Sequence, residues 1–286
     1  MAVSIIDIIL SNKIGSTKEI KHIKDSRKGF TATILANGPS AKEIINGRRN
    51  LLSGTDMLVV NDFVTTEVFF ELKPKYYLLL DPAYFNPGAK VESEQALPDN
   101  NATISRIVDN LRMVDWELCL FIPSTHMSSV VKTLYGVNSN IKVIPFNATR
   151  ILGFFWFENL MYDRGYGIPT SRNVIIPAMV LMILLGYKTI YLYGCEFSWT
   201  KTMDVDPENG MMFFNDRHFY SKDEIRYFGK GGYVWWLETI AEELRGTEHV
   251  ARYAEHKGVR IINRTKGSFI DAFDYENPDD IKTSVE

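Results

Sequence analysis

The segment Ile34-Leu35-Ala36-Asn37-Gly38-Pro39-Ser40 joins an apolar, β-prone run to a tight turn whose residue types suit a bound anion or ribose. Gly38 lets a ligand approach the main chain, Pro39 presets φ for a first helical position, and Ser40 or Asn37 can cap the helix that follows. Backbone N–H groups at such a helix start attract phosphate. The turn has no Gly-Lys-Ser/Thr of a Walker loop and lacks the further glycines of a dinucleotide fingerprint. An ordinary strand-to-helix turn is the plain alternative. A second cluster, Asp216-Arg217-His218-Phe219-Tyr220, lies in a stretch from Phe197 to Gly232 that is broken by Pro207, Gly210, Gly229, Gly231 and Gly232. An imidazole with a pKa near ~6.5 can move a proton at neutral pH, so His218 is the candidate base. Arg217, Tyr220, Ser198 and the N–H groups of Ser171 to Asn173 could meet charge on a phosphate.

These residues need a frame. Apolar β-branched runs recur at 31–35, 56–60, 76–80, 118–122, 142–145, 189–193 and 259–262, with helical patterns at 41–52, 104–114, 128–135, 173–185 and 232–256 between them. Such alternation predicts an α/β fold, a mostly parallel sheet of about seven strands with helices on both faces. Asn173 is expected to cap the fourth helix and Gly186 to end it. Ligands of open sheets sit beyond the carboxyl ends of the strands. The residues there are polar: Asn37 to Ser40, Asn61-Asp62, Asp81-Pro82, Pro123 to His126, and Gly194-Cys195-Glu196. One cleft is expected on that rim, with residues 197–232 as a lid-like segment. His126 reads as a ligand contact or, more simply, a structural histidine. Asp204-Val205-Asp206 mimics a metal-holding Asp-x-Asp, but its irregular context favours a solvated loop.

With 286 residues, 45% of them apolar, the chain can bury a full core, and its net charge of −3 argues against a nucleic-acid scaffold. Cys119 and Cys195 fall in apolar runs, as buried free thiols of a reducing compartment do. No run reaches membrane-spanning length and no signal-peptide pattern opens the chain. Met1–Leu10, followed by Lys13, Lys18, Lys21, Lys24, Arg27 and Lys28, reads as a first helix packed on the core or as an interfacial segment beside anionic lipid. The aromatic stretch from Phe154 to Tyr166 reads as core or interface packing and suggests self-association. The acidic residues from Asp271 onward read as a frayed, solvated tail.

Three segments resemble a known family. ILANGPSAKEI resembles the "GNGPSLKEI" that opens the bacterial sialyltransferases of glycosyltransferase family 42, matching Asn37, Gly38, Pro39, Ser40, Lys42, Glu43 and Ile44. LLGYKTIYLYGCEF is similar to that family's "ALGYKEIYLSGIDF", and Val131 to Tyr135 to its "VKTFY". The first and sixth strands also resemble pterin diphosphokinase-like proteins and the Maf glycosyltransferases. The family resemblance implies a Rossmann-like variant of the GT-A fold and metal-independent, inverting transfer of sialic acid from CMP-sialic acid. By position it implies CMP contacts at Asn37, Gly38, Ser40 and Asn61, with Asp81 where the family has asparagine and Thr170-Ser171 in its Thr-Ser-Gly turn. Arg172 replaces that glycine, and Asn173 takes over part of its role. Ser198 stands where the family has a tyrosine, and His218 or Tyr220 falls at the catalytic histidine.

The combined expectation is residues 1–28 as a helical peripheral segment, 29–270 as one Rossmann-like transferase domain and 271–286 as an acidic flexible tail. The catalytic set is His218, Tyr220, Arg217 and Ser198. The donor-binding set is Asn37, Gly38, Pro39, Ser40, Asn61, Asp81, Thr170, Ser171, Asn173, Gly194 and Glu196. No cofactor or metal is expected. The expected partners are a nucleotide-sugar donor and a glycan acceptor of lipopolysaccharide or capsule polysaccharide biosynthesis, in a cytoplasmic homo-oligomer that could touch the inner membrane. Diphosphoryl transfer to a pterin and non-catalytic nucleotide-sugar binding are the alternatives.

Overall fold

The computed structural model describes residues 18–85, 100–220 and 224–281. Eight strands form one all-parallel sheet: β1 (Thr31–Leu35), β2 (Asp56–Val60), β3 (Tyr76–Leu78), β4 (Leu118–Pro123), β5 (Ile141–Phe146), β6 (Thr189–Tyr193), β10 (Arg260–Asn263) and β11 (Asp274–Tyr275). Their spatial order is β11-β10-β6-β1-β2-β3-β4-β5. A second, antiparallel sheet has the order β7 (Met203–Val205), β8 (Met212–Asp216), β9 (Glu224–Tyr227).

Alternating side chains of the large sheet feed two helical layers. Leu58 and Val60 of β2 enter one core and Val59 the other, and Ile34 and Leu35 of β1 divide in the same way. The first layer holds α1 (Lys18–Ile23), α6 (Phe155–Asp163), α7 (Ile175–Leu185) and α8 (Gly232–Lys257). The second holds α2 (Ala41–Gly47), α3 (Glu67–Leu72), α4 (Asn100–Arg112) and α5 (Ser129–Tyr135). Every residue of α7 is buried, because this helix lies between the sheet and α8. Gly186 ends it at φ +95°, where a Cβ would come within 3.1 Å of the Asp25 Cα.

Several expectations are corrected. The stretch after Phe197 is not wholly irregular: β7, β8 and β9 build the small antiparallel sheet, stapled by Trp236 of α8 stacking on Phe214 at 4.8 Å. The described part of the acidic tail is not frayed. It adds β11 as an eighth strand, and its charges find cations, with Glu276 2.7 Å from Arg264 and Asp279 2.6 Å from Lys266. Residues 18–28 are packed, not peripheral, since the N–H groups of Asp25 and Arg27 close on the carbonyls of Leu184 and Leu185. Met1–Leu10 lies outside the described residues. Helix 41–52 is interrupted at Arg48, and its last residues form a 3-10 turn. Phe154, Phe155 and Trp156 are exposed while Tyr162 is buried, so the aromatic stretch divides between surface and core. Cys195 is buried and Cys119 half-buried, and both thiols are free. Among the described residues no helix is long and apolar enough to cross a membrane.

Gly246 sets how closely α8 can approach the 170–173 turn. A Cβ there would sit 2.5 Å from the Thr170 carbonyl and 3.2 Å from Ile176 Cδ1. In an unpacked helix, alanine is favoured over glycine by ~1 kcal/mol. Here the sign reverses, and Gly246→Ala is expected to destabilise by about 1–3 kcal/mol in urea unfolding.

Candidate functional site

The chain runs outward from β1 through β2, β3, β4 and β5, then returns to place β6 on the other flank of β1. Such a reversal leaves a crevice beyond the strand ends. A cleft of about 940 Å³ opens there. Asn37, Gly38, Pro39, Asn61, Asp81, Gly194 and Glu196, all from strand ends, form its floor. Ser171, Arg172 and Asn173 make one wall, and Ser198, Arg217 and His218 with the antiparallel sheet make the other.

The two central strand ends stay paired beyond the sheet. The Gly38 N–H donates to the Gly194 carbonyl at 3.0 Å, continuing the Ala36 to Tyr193 bond at 2.9 Å. Neither glycine tolerates a side chain. A Gly38 Cβ would overlap Glu196 Oε2 and lie 2.6 Å from the Gly194 carbonyl, and Gly194 holds φ +69° with its Cβ direction 2.6 Å from the Ala36 carbonyl. The space that Gly38 leaves is filled by a carboxylate of the protein itself. Glu196 Oε1 accepts the Ser40 N–H at 2.6 Å. At the start of α2 the Ser40 N–H is thus met by a side-chain carboxylate of the chain itself.

Burial pushes the Glu196 carboxyl pKa up, against the hydrogen bond it accepts from the Ser40 N–H. Its Oε2 has no hydrogen-bond partner among the described residues, and the same holds for Asn37 Oδ1 and Asn61 Oδ1. The Asn37 amide is locked, because its Nδ2 donates to the Val60 carbonyl at 3.1 Å. Asn61 adopts φ +49°, a left-handed conformation that asparagine tolerates, and its carbonyl accepts Tyr77 OH at 2.7 Å. Three acceptor oxygens without donors are thus buried at the base of the cleft.

His218 lies over this floor. The Phe219 N–H donates to the Asn37 carbonyl at 3.0 Å, and the Phe219 ring meets Phe63 at 5.3 Å. His218 Nε2 is 3.8 Å from Asp216 Oδ2, which also pairs with Arg226 at 3.0 Å. The imidazole stacks on Tyr220 with centroids 5.4 Å apart. Tyr220 itself stays off the cleft wall and turns to Asp62; burial raises the pKa of both, and Asp62 accepts Tyr84 OH at 3.1 Å.

The remaining expected residues divide. Ser40 and Thr170 lie behind the walls, Ser40 through its N–H to Glu196 and Thr170 through its carbonyl against Gly246. Asn173 caps α7 from a position earlier than the helix start, its Oδ1 accepting the Ile175 N–H at 2.8 Å. Asp81 Oδ1 is engaged with the Ala83 N–H at 2.8 Å. His126 is both structural and at the cleft, stacked on Phe85 at 4.8 Å. Asp204 faces the cleft, whereas Asp206 turns away to Asn209 and Tyr227, so the Asp-x-Asp carboxylates do not converge. Among the described residues no three His, Cys, Asp or Glu side chains gather as a metal site.

Asp216 and Lys201 were not among the expected site residues. Asp216 was readable only as part of the Asp-Arg-His string; its role depends on the strand that brings Arg226 beside it. No family model matches the chain, and no curated protein matches its sequence.

Because the folded state raises the Glu196 pKa, it favours the neutral acid. That stabilising term is complete below the unfolded pKa and disappears as pH rises through the folded one. Glu196→Gln never ionises. Its melting temperature is therefore expected to gain on wild type as pH rises from below the ordinary carboxylate range through the raised folded pKa, with the Asp62 contribution common to both proteins. A pH-independent difference between the two would contradict the assignment.

Proposed function

We propose that the protein is an inverting, metal-independent glycosyltransferase that moves sialic acid or a related acidic sugar from a CMP-activated donor to a bacterial surface glycan. In this reading the doubly wound sheet is a GT-A variant, working as a cytoplasmic enzyme. The observation that carries it is the crevice between β1 and β6, where Asn37, Asn61, Glu196 and His218 share one lining and the first three keep unpaired, buried acceptor oxygens at its base. Ribose hydroxyls and an exocyclic base amine are the donor groups such a floor can hold. The sequence resemblance supplies CMP as the nucleotide.

In the reaction, His218 takes the proton of the acceptor hydroxyl as its oxygen bonds to the anomeric carbon. The bond from that carbon to the phosphate oxygen breaks, and CMP leaves with the electron pair. Arg217 and Lys201, both of which line the cleft, are the cations we assign to the phosphate charge, Lys201 turning to it from the Gly267 carbonyl. Ser198 adds a hydroxyl to the same wall. Tyr220 acts through the His218 ring that it stacks against, as a positioning residue. Glu196 is kept for the ribose.

Thermal-shift titration with CMP, UDP, GDP and ATP, with and without EDTA, tests the reading. CMP at about 100 times its Kd is expected to raise the melting temperature by roughly 5 °C, unchanged by EDTA. A shift with UDP only in manganese would overturn the metal-free reading, and one with ATP and magnesium would favour diphosphoryl transfer. His218→Ala should keep CMP affinity and lose ~10²–10⁴-fold in donor turnover. Equal, slow turnover by wild type and variant would mark a binding subunit instead.

A further inference from the structure

The 3-10 turn after β2, Asn61–Thr65, gives three consecutive side chains three different tasks. Asn61 lines the cleft, and Phe63, fully buried, holds the Phe219 ring at 5.3 Å. Asp62, between them, is not among the described residues that line the cleft. Its Oδ1 accepts the Tyr84 OH at 3.1 Å, and the Tyr220 OH donates to the same carboxylate. Tyr84 is itself buried, and its carbonyl accepts the Tyr135 OH of α5 at 2.6 Å. A carboxyl whose pKa is raised by burial is costly to leave without donors, and these two phenols supply them.

What this arrangement steadies is an imidazole. The His218 ring makes no hydrogen bond among the described residues, and Asp216, 3.8 Å from its Nε2, is beyond hydrogen-bond reach. Its orientation comes from Tyr220, whose ring centroid lies 5.4 Å away with the two planes within 10° of parallel. Phe219 meets the same phenol edge-on at 5.0 Å. A stacked ring orients its partner only as far as it is fixed itself, and the hydroxyl end of Tyr220 is tied down by Asp62. Tyr84 in turn holds the carboxylate from a buried site tied to α5. A proton acceptor works only while its nitrogen stays in line with the group it serves.

We propose that Asp62 is a positioning residue for that proton acceptor: it fixes the Tyr220 hydroxyl, and with it the plane on which the His218 imidazole rests at the cleft. The inference rests on the transferase reading for the proton that the imidazole takes; the orientation of the ring stands without it.

The test uses the full chain with two readouts, release of CMP from CMP-sialic acid and the NMR resonances of the His218 ring protons, assigned by their absence in His218→Ala. Tyr220→Phe keeps the ring and removes the hydroxyl; Asp62→Leu removes the acceptor; Asp62→Asn keeps one. Tyr220→Phe and Asp62→Leu are each expected to lose about tenfold in kcat at unchanged KM, and Asp62→Asn to stay within about threefold of wild type. The double variant Tyr220→Phe with Asp62→Leu should lose no more than either single one, and in the His218→Ala background neither should cost anything further. Equal losses with and without His218, or a rise in KM alone, overturn the positioning role. In wild type and Asp62→Asn the His218 ring protons should share one upfield displacement from the Tyr220 ring, which changes in Asp62→Leu and Tyr220→Phe. Resonances that stay in place in all variants overturn the proposal even where turnover falls. Wild type that releases no CMP but shows the resonance changes removes the transferase reading alone. If Asp62→Leu does not fold, Tyr220→Phe makes the same comparison.

Discussion

The approach of the β1 and β6 ends is the constraint on which the rest of the site depends. Two parallel strands normally diverge once their ladder stops, yet here one further hydrogen bond, from Gly38 to Gly194, keeps the loops in register past the sheet. That register is sterically available only to glycine at both positions. It delivers Glu196 beneath the Ser40 N–H, and the carboxylate then does the work that a bound anion would otherwise do at the start of α2. The turn is therefore complete without ligand. What it leaves unpaired, and buried, is the far oxygen of Glu196, together with those of Asn37 and Asn61.

A second element, α8, couples the two cleft walls. Trp236 near its start packs on Phe214 of β8 and Trp199, holding the sheet that carries Asp216 and, just beyond it, His218. Its middle presses Gly246 on Thr170 and holds Arg172 through Glu242. Between these contacts sits Glu243, buried, with Oε2 unpartnered and its carboxyl pushed up to about 8 by desolvation. A neutral acid is the form that tolerates such a site. The helix that positions both walls thus stays uncharged at its buried face while Glu242, one residue earlier, remains available to two arginines.

The large sheet was legible because it follows from burial on both faces. All seven runs of β-branched and aromatic residues became strands, and the polar strand ends marked the rim correctly. The eighth strand was hidden because Asp274 and Tyr275 are exposed and make a two-residue edge, so no apolar pattern announces it. The small antiparallel sheet was hidden for a related reason. Phe214 is its one buried apolar strand residue, and its partner Trp236 comes from a helix elsewhere in the chain. Local pattern cannot encode that pairing. Glu196 was readable as a strand-end carboxylate, but its capping of α2 was not, since a contact across 156 positions leaves no trace in spacing.

The distribution of charge and acceptors gives the cleft a direction. Buried acceptor oxygens and a buried carboxylate lie at its base. Arg172, Lys201 and Arg217 are among the cations of its lining. The Phe219 N–H, next to His218, donates to the Asn37 carbonyl. The same bond that ties the histidine segment to β1 thereby sets the height of the imidazole above the floor. Lengthening either loop would move the imidazole away from the strand ends, since both segments are anchored to the ends of neighbouring elements.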